Sequence, residues 1–429
     1  MKDIFKKIVA SLLAWEARRV LRRFTPRIVA ITGSVGKTST KDTIVAVLER
    51  SANVRGSVKS YNSEFGVPLT ILGLDNAWGS ALGWIRNLAK GFMVPYTSRA
   101  YPEWLILEVG ADKPGDISSL TRWLRPEIAV MTRIGEVPVH VEQFGSPLHI
   151  IEEKAHLLQA VREGGAVVIN HDDEKIRTMK IPTGVQVRSY GLGEGAQVRG
   201  ALAHILYEKN QPMGMTVKVE TMGKSVPVRL KNVFGVHAVM PALAALAVAE
   251  LAQVNLLDAV KGLEWLEPAP GRLRLIAGIK DSLILDDTYN SSPVALHAAL
   301  DTVQELKVRG KKIAVLGDMM ELGVYSVEEH KKAGRHVATV CDKLYLVGAR
   351  AAAVEEGARL GGMSSDRIKK YSDSVSAGQA VEKEIAKGDL ILVKGSQSVR
   401  MERAVHEIMK EPELATDLLV RQDPEWSKR

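Results

Sequence analysis

The 429-residue chain has a single cysteine, Cys341, so it holds no internal disulfide framework and fits a reducing compartment. Histidine and cysteine form no cluster with structural-zinc spacing. Long hydrophobic runs are also missing. The longest nearly apolar stretch, Val239–Ala249, is too short and alanine-rich to cross a bilayer, and predicts a buried helix. The N-terminal apolar residues alternate with charges, so no cleavable signal peptide is expected. No internal repeat or low-complexity tract is visible, and the length allows two or three domains with separate cores.

Charge of one sign is scarce except in one place. The net charge is +8, yet Met1–Arg27 alone carries eight basic residues against two acids. That leaves a body near neutrality, which argues against a nucleic-acid-binding surface spread across it. Within residues 3–24, Ile4, Phe5, Ile8, Val9, Leu12, Leu13 and Trp15 recur at helical spacing, and Thr25-Pro26 stops the pattern. Residues 1–25 are therefore expected to form a basic amphipathic helix. It would either pack on the adjoining domain or make peripheral contact with the inner membrane face of a cytoplasmic protein. Trp78–Tyr96, with Leu82, Trp84, Ile85, Leu88, Phe92, Met93, Arg86 and Lys90, is a second segment suited to the same surface.

The most informative stretch is Ile31–Asp42, Ile-Thr-Gly-Ser-Val-Gly-Lys-Thr-Ser-Thr-Lys-Asp. A β-branched run precedes Gly33-x-x-Gly36-Lys37-Thr38 and an amphipathic pattern (Ile44, Val45, Val47, Leu48) follows it, the context of a phosphate-binding loop. Backbone N–H groups of Gly33, Ser34, Val35, Gly36 and Ser39 would face phosphate oxygens at a helix N-terminus. Lys37 would reach the terminal phosphates, and the Thr38 hydroxyl would ligate Mg²⁺. The full motif has glycine five residues before Gly36, where this chain has Ile31.

Strand-like runs (Leu105–Val109, Ile128–Thr132, Ala166–Asn170) alternate with helical segments (Pro147–Val161, His237–Leu251), the signature of a mostly parallel, doubly wound sheet. Residues 198–231 break the alternation and predict an antiparallel hairpin around Met222-Gly223. Glu267-Pro268-Ala269-Pro270-Gly271 reads as a linker. Beyond it, strands at Leu283–Asp287, Lys312–Leu316, Lys343–Val347 and Leu390–Val393 predict a second α/β domain. The expected organisation is a helix over 1–25, a central ATP-binding domain over 26–266 and a Rossmann-like domain over 271–429.

Glu108 closes the apolar strand Trp104–Leu107, where a carboxylate faces the ligand crevice of such a sheet and suits Mg²⁺. His140 falls in a loop after the strand Ile128–Thr132, and Lys154 inside an amphipathic helix. Taken singly, each is as easily a surface residue.

Read in order, these segments resemble the Mur ligase family from about Ile28 to Arg403. Tyr61-Asn62-Ser63-Glu64-Phe65-Gly66-Val67-Pro68, Leu107-Glu108-Val109-Gly110-Ala111 and His140-Val141-Glu142-Gln143-Phe144-Gly145-Ser146 resemble its central-domain segments. Gly271-Arg272-Leu273, Asp286-Asp287-Thr288-Tyr289-Asn290, Leu316–Gly323, His330 and Lys394–Glu402 resemble its C-terminal segments. The resemblance implies an ADP-forming ligase that makes an amide through an acyl-phosphate. It would add D-alanyl-D-alanine or a similar amino compound to a small-molecule or lipid-linked cell-wall precursor, and act as a monomer.

The resemblance also implies roles. Lys37, His140 and Lys154 would be catalytic, with Thr38, Glu108, His140 and a carbamylated Lys154 serving the metal ions. His237, Arg272 and Asp287 would join the loop around ATP, and Asn62, Tyr289, Asn290, Lys394 and Arg400 would meet substrate. The alternatives are a folylpolyglutamate- or cyanophycin-synthetase-like ligase, or an inactive nucleotide-binding partner subunit. Three departures stand out. Only 32 residues precede Gly33, so the family's UDP-sugar-binding domain is not expected here. Ala238 and Pro241 follow His237 where the family has asparagines near the adenine, and Ser291-Ser292 replaces Ala-Asn before Pro293.

Overall fold

The structure, a computed structural model, describes residues 2–57, 60–264 and 266–427. Met1, Lys428 and Arg429 of the expected first and last segments lie outside the described residues. The chain opens with helix α1 (Lys2–Phe24), followed by the β-branched strand β1 (Arg27–Thr32) and helix α2 (Lys37–Leu48). Strand β2 (Val54–Gly56) leads to helices α3 (Gly66–Leu72) and α4 (Ala81–Thr97), then strand β3 (Trp104–Glu108). Next come α5 (Asp116–Thr121), β4 (Ile128–Met131), α6 (Val141–Phe144), α7 (Pro147–Gln159), β5 (Ala166–Asn170) and α8 (Glu174–Arg177). Strands β6 (Gln186–Gly191), β7 (Val198–Glu208), β8 (Gln211–Thr221) and β9 (Lys224–Lys231) precede α9 (Met240–Leu251) and α10 (Leu256–Glu264).

Among the described residues the first sheet has nine strands in the order β2-β3-β1-β4-β5-β6-β7-β8-β9. Pairing is parallel from β2 through β7 and antiparallel from β7 through β9. Strand β1 lies between β3 and β4, so the chain leaves its two sides in opposite directions and opens a crevice at the strands' C-terminal ends. Alternation along β1 serves two layers. Ile28 and Ala30 face the core under α1, α3, α5 and α7, while Val29 and Ile31 face α2, α9 and α10. The Val239–Ala249 stretch is indeed a buried helix, with Ala242–Ala249 wholly inside.

The hairpin expected over 198–231 is present but larger. Met222 and Gly223 both take left-handed backbone (φ 48° and 71°), which matches the twist of a two-residue turn. A second such turn at Lys209-Asn210 (φ 48° and 64°) adds β7, which continues the parallel sheet from β6. The result is a three-stranded meander that extends the main sheet.

Past the linker, the second sheet holds β10 (Arg274–Ala277), β11 (Leu283–Asp287), β12 (Lys312–Gly317), β13 (Lys343–Val347), β14 (Ile368–Tyr371) and β15 (Leu390–Lys394). Their order is β10-β11-β15-β12-β13-β14, parallel except at β10. Helices α11 (Pro293–Glu305), α12 (Ser326–Val340), α13 (Ala351–Leu360), α14 (Ser374–Glu384) and α15 (Glu402–Ile408) flank it. The expected α/β class and Rossmann-like second domain are therefore what the chain forms. Ser292 caps α11 by accepting from Ala295 N at 3.3 Å, with Pro293 in the first turn. A hydroxyl thus fills the cap at this departure from the family pattern.

Candidate active site

Between the two sheets lies a cleft of about 1540 Å³. That exceeds the about 300–1,000 Å³ of a site for one small molecule, so it has room for a nucleotide and further reactants. Its floor is the loop joining β1 to α2. Gly33 has φ 146°, and a Cβ there would sit 1.9 Å from Thr132 Oγ1, so the loop passes β4 only because this residue is glycine. Gly36 is needed for conformation instead, at φ 85° with open space around it. It precedes α2, which has no side-chain cap, so the first N–H groups of that helix are open to an anion. The buried Ser34 Oγ also lacks a partner among the described residues.

Glu108, buried at the end of β3, organises the wall of the cleft. It accepts from Thr38 Oγ1 at 2.9 Å, from Ser60 Oγ at 2.8 and 3.0 Å and from Asn62 Nδ2 at 3.2 Å. Ser60 escaped the sequence reading, because one serine in an irregular segment carries no pattern. Thr38 Oγ1 also accepts from Arg272 Nη2 at 3.0 Å, so a side chain of the second domain reaches the phosphate loop. Arg272 stacks 3.8 Å from the centroid of the Tyr289 ring, which holds its planar guanidinium in line.

Two lysines lie beneath the loop. Lys37 Nζ and Lys154 Nζ both donate to the carbonyl of Gly33, at 2.9 and 3.1 Å. Burial depresses both amines, and Lys154, with the Lys37 charge beside it, falls to about 7. The helix carrying Lys154 begins at Ser146, which accepts from His149 N at 3.3 Å, and Pro147 opens its first turn. Lys154 is thus a core residue rather than a solvated one. His140 has φ 69° just before α6, and its ring bridges Glu321 Oε2 (2.6 Å from Nδ1) and Asp112 Oδ1 (3.5 Å from Nε2). The histidine bond in turn holds the Glu321 carboxyl below its ordinary range.

His237 stands at the far end, 3.3 Å from Arg133 Nη1 and 3.7 Å from Asp301 Oδ2 of α11. Burial and Arg133 lower its pKa. Ala238, Met240 and Pro241 line the cleft beside it, with Asn170 and Asp172 opposite. The contacts Arg272–Thr38, His140–Glu321 and His237–Asp301 all cross the linker and hold the domains face to face.

On the second-domain side, Asp287 accepts from Leu273 N at 3.2 Å and pairs with Lys394, which also donates to Asn290 O at 3.0 Å. Lys394 is 1% exposed, so it braces Asp287 and the Tyr289–Asn290 turn. Buried His330 accepts from Met319 N at 3.0 Å and shapes the loop that presents Glu321. The structure brings together at the cleft Ser34–Ser39, Asn62, Glu108, His140, His237, Arg272, Asp287, Tyr289, Asn290 and Lys394, but the backbone N–H groups of Ser34 and Val35, expected to face phosphate, donate instead to the Arg133 carbonyl at 2.7 and 3.3 Å. Gly33 and Lys154 lie just beneath. Arg400 does not itself line the cleft but sits directly behind it, paired with Glu402 and donating at 3.1 Å to the carbonyl of Trp426, which does line it. Asp42 and the tail residues Thr416, Arg421 and Gln422 also line it. Sequence gave no pointer to the tail, since its proximity arises only from tertiary folding.

A parallel sheet with a phosphate loop at its switch point, closed by a second Rossmann-like domain, defines a two-domain nucleotide-dependent enzyme. Residues 31–249 match the Mur ligase middle domain, and residues 271–397 match the Mur ligase glutamate ligase domain. The chain belongs to the Mur ligase family. It is 30% identical over 397 residues to the UDP-N-acetylmuramoyl-tripeptide–D-alanyl-D-alanine ligase of Bacillus subtilis, covering 92% of this chain and 79% of that protein. The Escherichia coli enzyme of the same name is 27% identical, with coverages of 93% and 80%. The crystal structure of the MurF ligase from Thermotoga maritima in complex with ADP superposes with a TM-score of 0.77 at 28% identity, covering 94% and 84% of the two chains. Folylpolyglutamate synthase of Mycobacterium tuberculosis, at 16% identity and a TM-score of 0.63 over 90% and 93% of the chains, shares the fold alone.

Proposed function

We propose that the protein is an ATP-dependent, ADP-forming ligase that joins the carboxylate of a cell-wall precursor to D-alanyl-D-alanine or a closely similar amine. The observation that carries this reading is the meeting of Lys37, Thr38 and Glu108 with Arg272 of the other domain around one cleft. The substrate carboxylate oxygen bonds to the γ-phosphorus of ATP as the bond to ADP breaks. The amine nitrogen then bonds to the acyl carbon, inorganic phosphate leaves, and the nitrogen gives up a proton. Lys37, Arg272 and the α2 N-terminus supply positive potential where phosphate charge accumulates, and they hold the partners in line. Domain closure excludes water, which would otherwise hydrolyse the acyl-phosphate.

The donors at Glu108, Thr38 and Ser60 are hard oxygens and fit Mg²⁺. Such an ion takes few protein ligands and completes its shell with phosphate and water. Bound there, the ion would neutralise phosphate charge. His140 and a carbamylated Lys154 would serve a second ion. Lys154 shares one carbonyl with Lys37, and its depressed amine is available in neutral form. Carbamylation joins that nitrogen to the carbon of CO₂, releases a proton, and places an anion beside Lys37.

The reading places the protein in the cytoplasm as a monomer, with peripheral membrane contact through residues 1–25 supported by their basic excess. Among the described residues, no helix is long and apolar enough to cross a membrane. ADP release in the presence of the carboxyl precursor should require D-alanyl-D-alanine. Release at the same rate with no amine present would overturn the ligase reading.

A further inference from the structure

Helix α1 carries two apolar stripes. Val9, Leu13, Ala17 and Val20 are buried on the central domain, whereas Ile4, Phe5, Ile8, Leu12 and Trp15 point outward, each more than 40% exposed. Helix α4 packs beside it and repeats the arrangement. Trp84 and Leu88 turn inward, while Leu82, Ile85, Phe92, Met93 and Tyr96 turn outward, with Leu82 80% exposed. The outward stripes merge where Trp15 stacks on Phe92 with centroids 6.3 Å apart. Isolated exposed apolar residues are ordinary, but two adjoining helices that both keep an apolar stripe in solvent form a continuous patch.

The chemistry at one end of the patch indicates what covers it. The Arg19 guanidinium lies over Trp15, Phe92 and Tyr96, 4.7, 4.5 and 5.5 Å from their centroids, and donates to the Tyr96 hydroxyl at 2.8 Å. Its Nη1 is buried with no hydrogen-bond partner among the described residues. Arg22 and Arg23 complete a small pocket with Pro95 and Tyr96. Three arginines beside an aromatic and aliphatic patch fit a phosphate-bearing headgroup whose acyl chains enter the patch.

The patch also adjoins the cleft. Asn76 and Trp78 line the cleft wall, and Trp84 of α4 donates to the Trp78 carbonyl at 2.9 Å. The outermost apolar residue, Leu82, comes four positions after Trp78.

We propose that α1 and α4 form one docking face for an anionic lipid bilayer, seated so that the cleft opens at the membrane beside Trp78.

The test is co-sedimentation of the full chain with phosphatidylcholine vesicles, with and without phosphatidylglycerol, at low salt. The wild type should bind the anionic vesicles and only weakly the zwitterionic ones. Arg22→Gln/Arg23→Gln should lower that partition about thirtyfold, from two lost surface cations. Leu82→Ser/Ile85→Ser should lower it at least as far. Because all four side chains are exposed, the circular dichroism spectrum and amine-dependent ADP release with a soluble precursor should be unchanged. Equal, negligible binding to both vesicle types would overturn the proposal. So would a dimer that dissociates in Leu82→Ser/Ile85→Ser, which would assign the face to a second copy. Failure of the ligase reading looks different: vesicle binding persists while no amine promotes ADP release.

Discussion

Lys154 and Lys394 are both buried lysines, on opposite sides of one cleft, and their partners differ. Lys394 faces the Asp287 carboxylate, so its charge is balanced within the second domain. Lys154 meets only the Gly33 carbonyl, which it shares with Lys37, and no carboxylate lies within ion-pair distance of it among the described residues. The first arrangement keeps a cation as a brace. The second keeps an amine poised to lose its proton, which is what a lysine destined for chemistry requires.

Removing each lysine should therefore break different things. Lys394→Met leaves the partly buried Asp287 without its cation, and should cost about 1–3 kcal/mol of stability, less than a fully buried pair, read by denaturant unfolding. Equal stability of this variant and wild type would show that the pair does not brace the turn. Lys37→Ala should keep the fold but lose at least ~3 kcal/mol of transition-state stabilisation, the scale of one electrostatic contact at the reacting phosphate. Steady-state ADP release measures it. Wild-type turnover in a folded variant would remove Lys37 from the chemistry.

Lys154→Ala should fold and be inactive, and short carboxylic acids that occupy the vacated space should partly restore it. Normal ligation without additive would return Lys154 to a structural role. The depressed amine also has a stability signature. Between pH about 7 and the ordinary lysine range near 10.5, the unfolded chain binds a proton at Lys154 that the folded chain does not. Stability from this group therefore rises with pH across that window, and a Lys154→Met variant should lose the rise. A carbamate in place would flatten it too, so the measurement belongs in buffer freed of CO₂.

Much of this was legible in the sequence where one local signal suffices. Short apolar runs placed β1, β3, β5, β11 and β13 within a residue, because strands buried on both faces need them. Glycine-Lys-Thr between strand and helix marked the loop. What was hidden depends on who packs against whom. Periodicity grouped Ile8 with Leu13, yet one faces solvent and the other the core. Lys154 read as easily as a solvated helix residue, and only the sheet above it makes it buried. Ser60 and Arg421 have no local pattern at all.

The smallest expected effect concerns the nucleotide end. Ala238 and Pro241 offer no side-chain amide to a base, so discrimination between ATP and GTP should be weak, within about tenfold. A strong ATP preference would show that Asn170, Asp172 or backbone groups read the base instead.

The most direct test of the ligase chemistry follows one oxygen atom. With the precursor carboxylate labelled by heavy oxygen, the acyl-phosphate route transfers one labelled oxygen to inorganic phosphate each time an amide forms. Labelled phosphate, released only when the amine is present, is the predicted result. Amide formation with unlabelled phosphate would contradict the account.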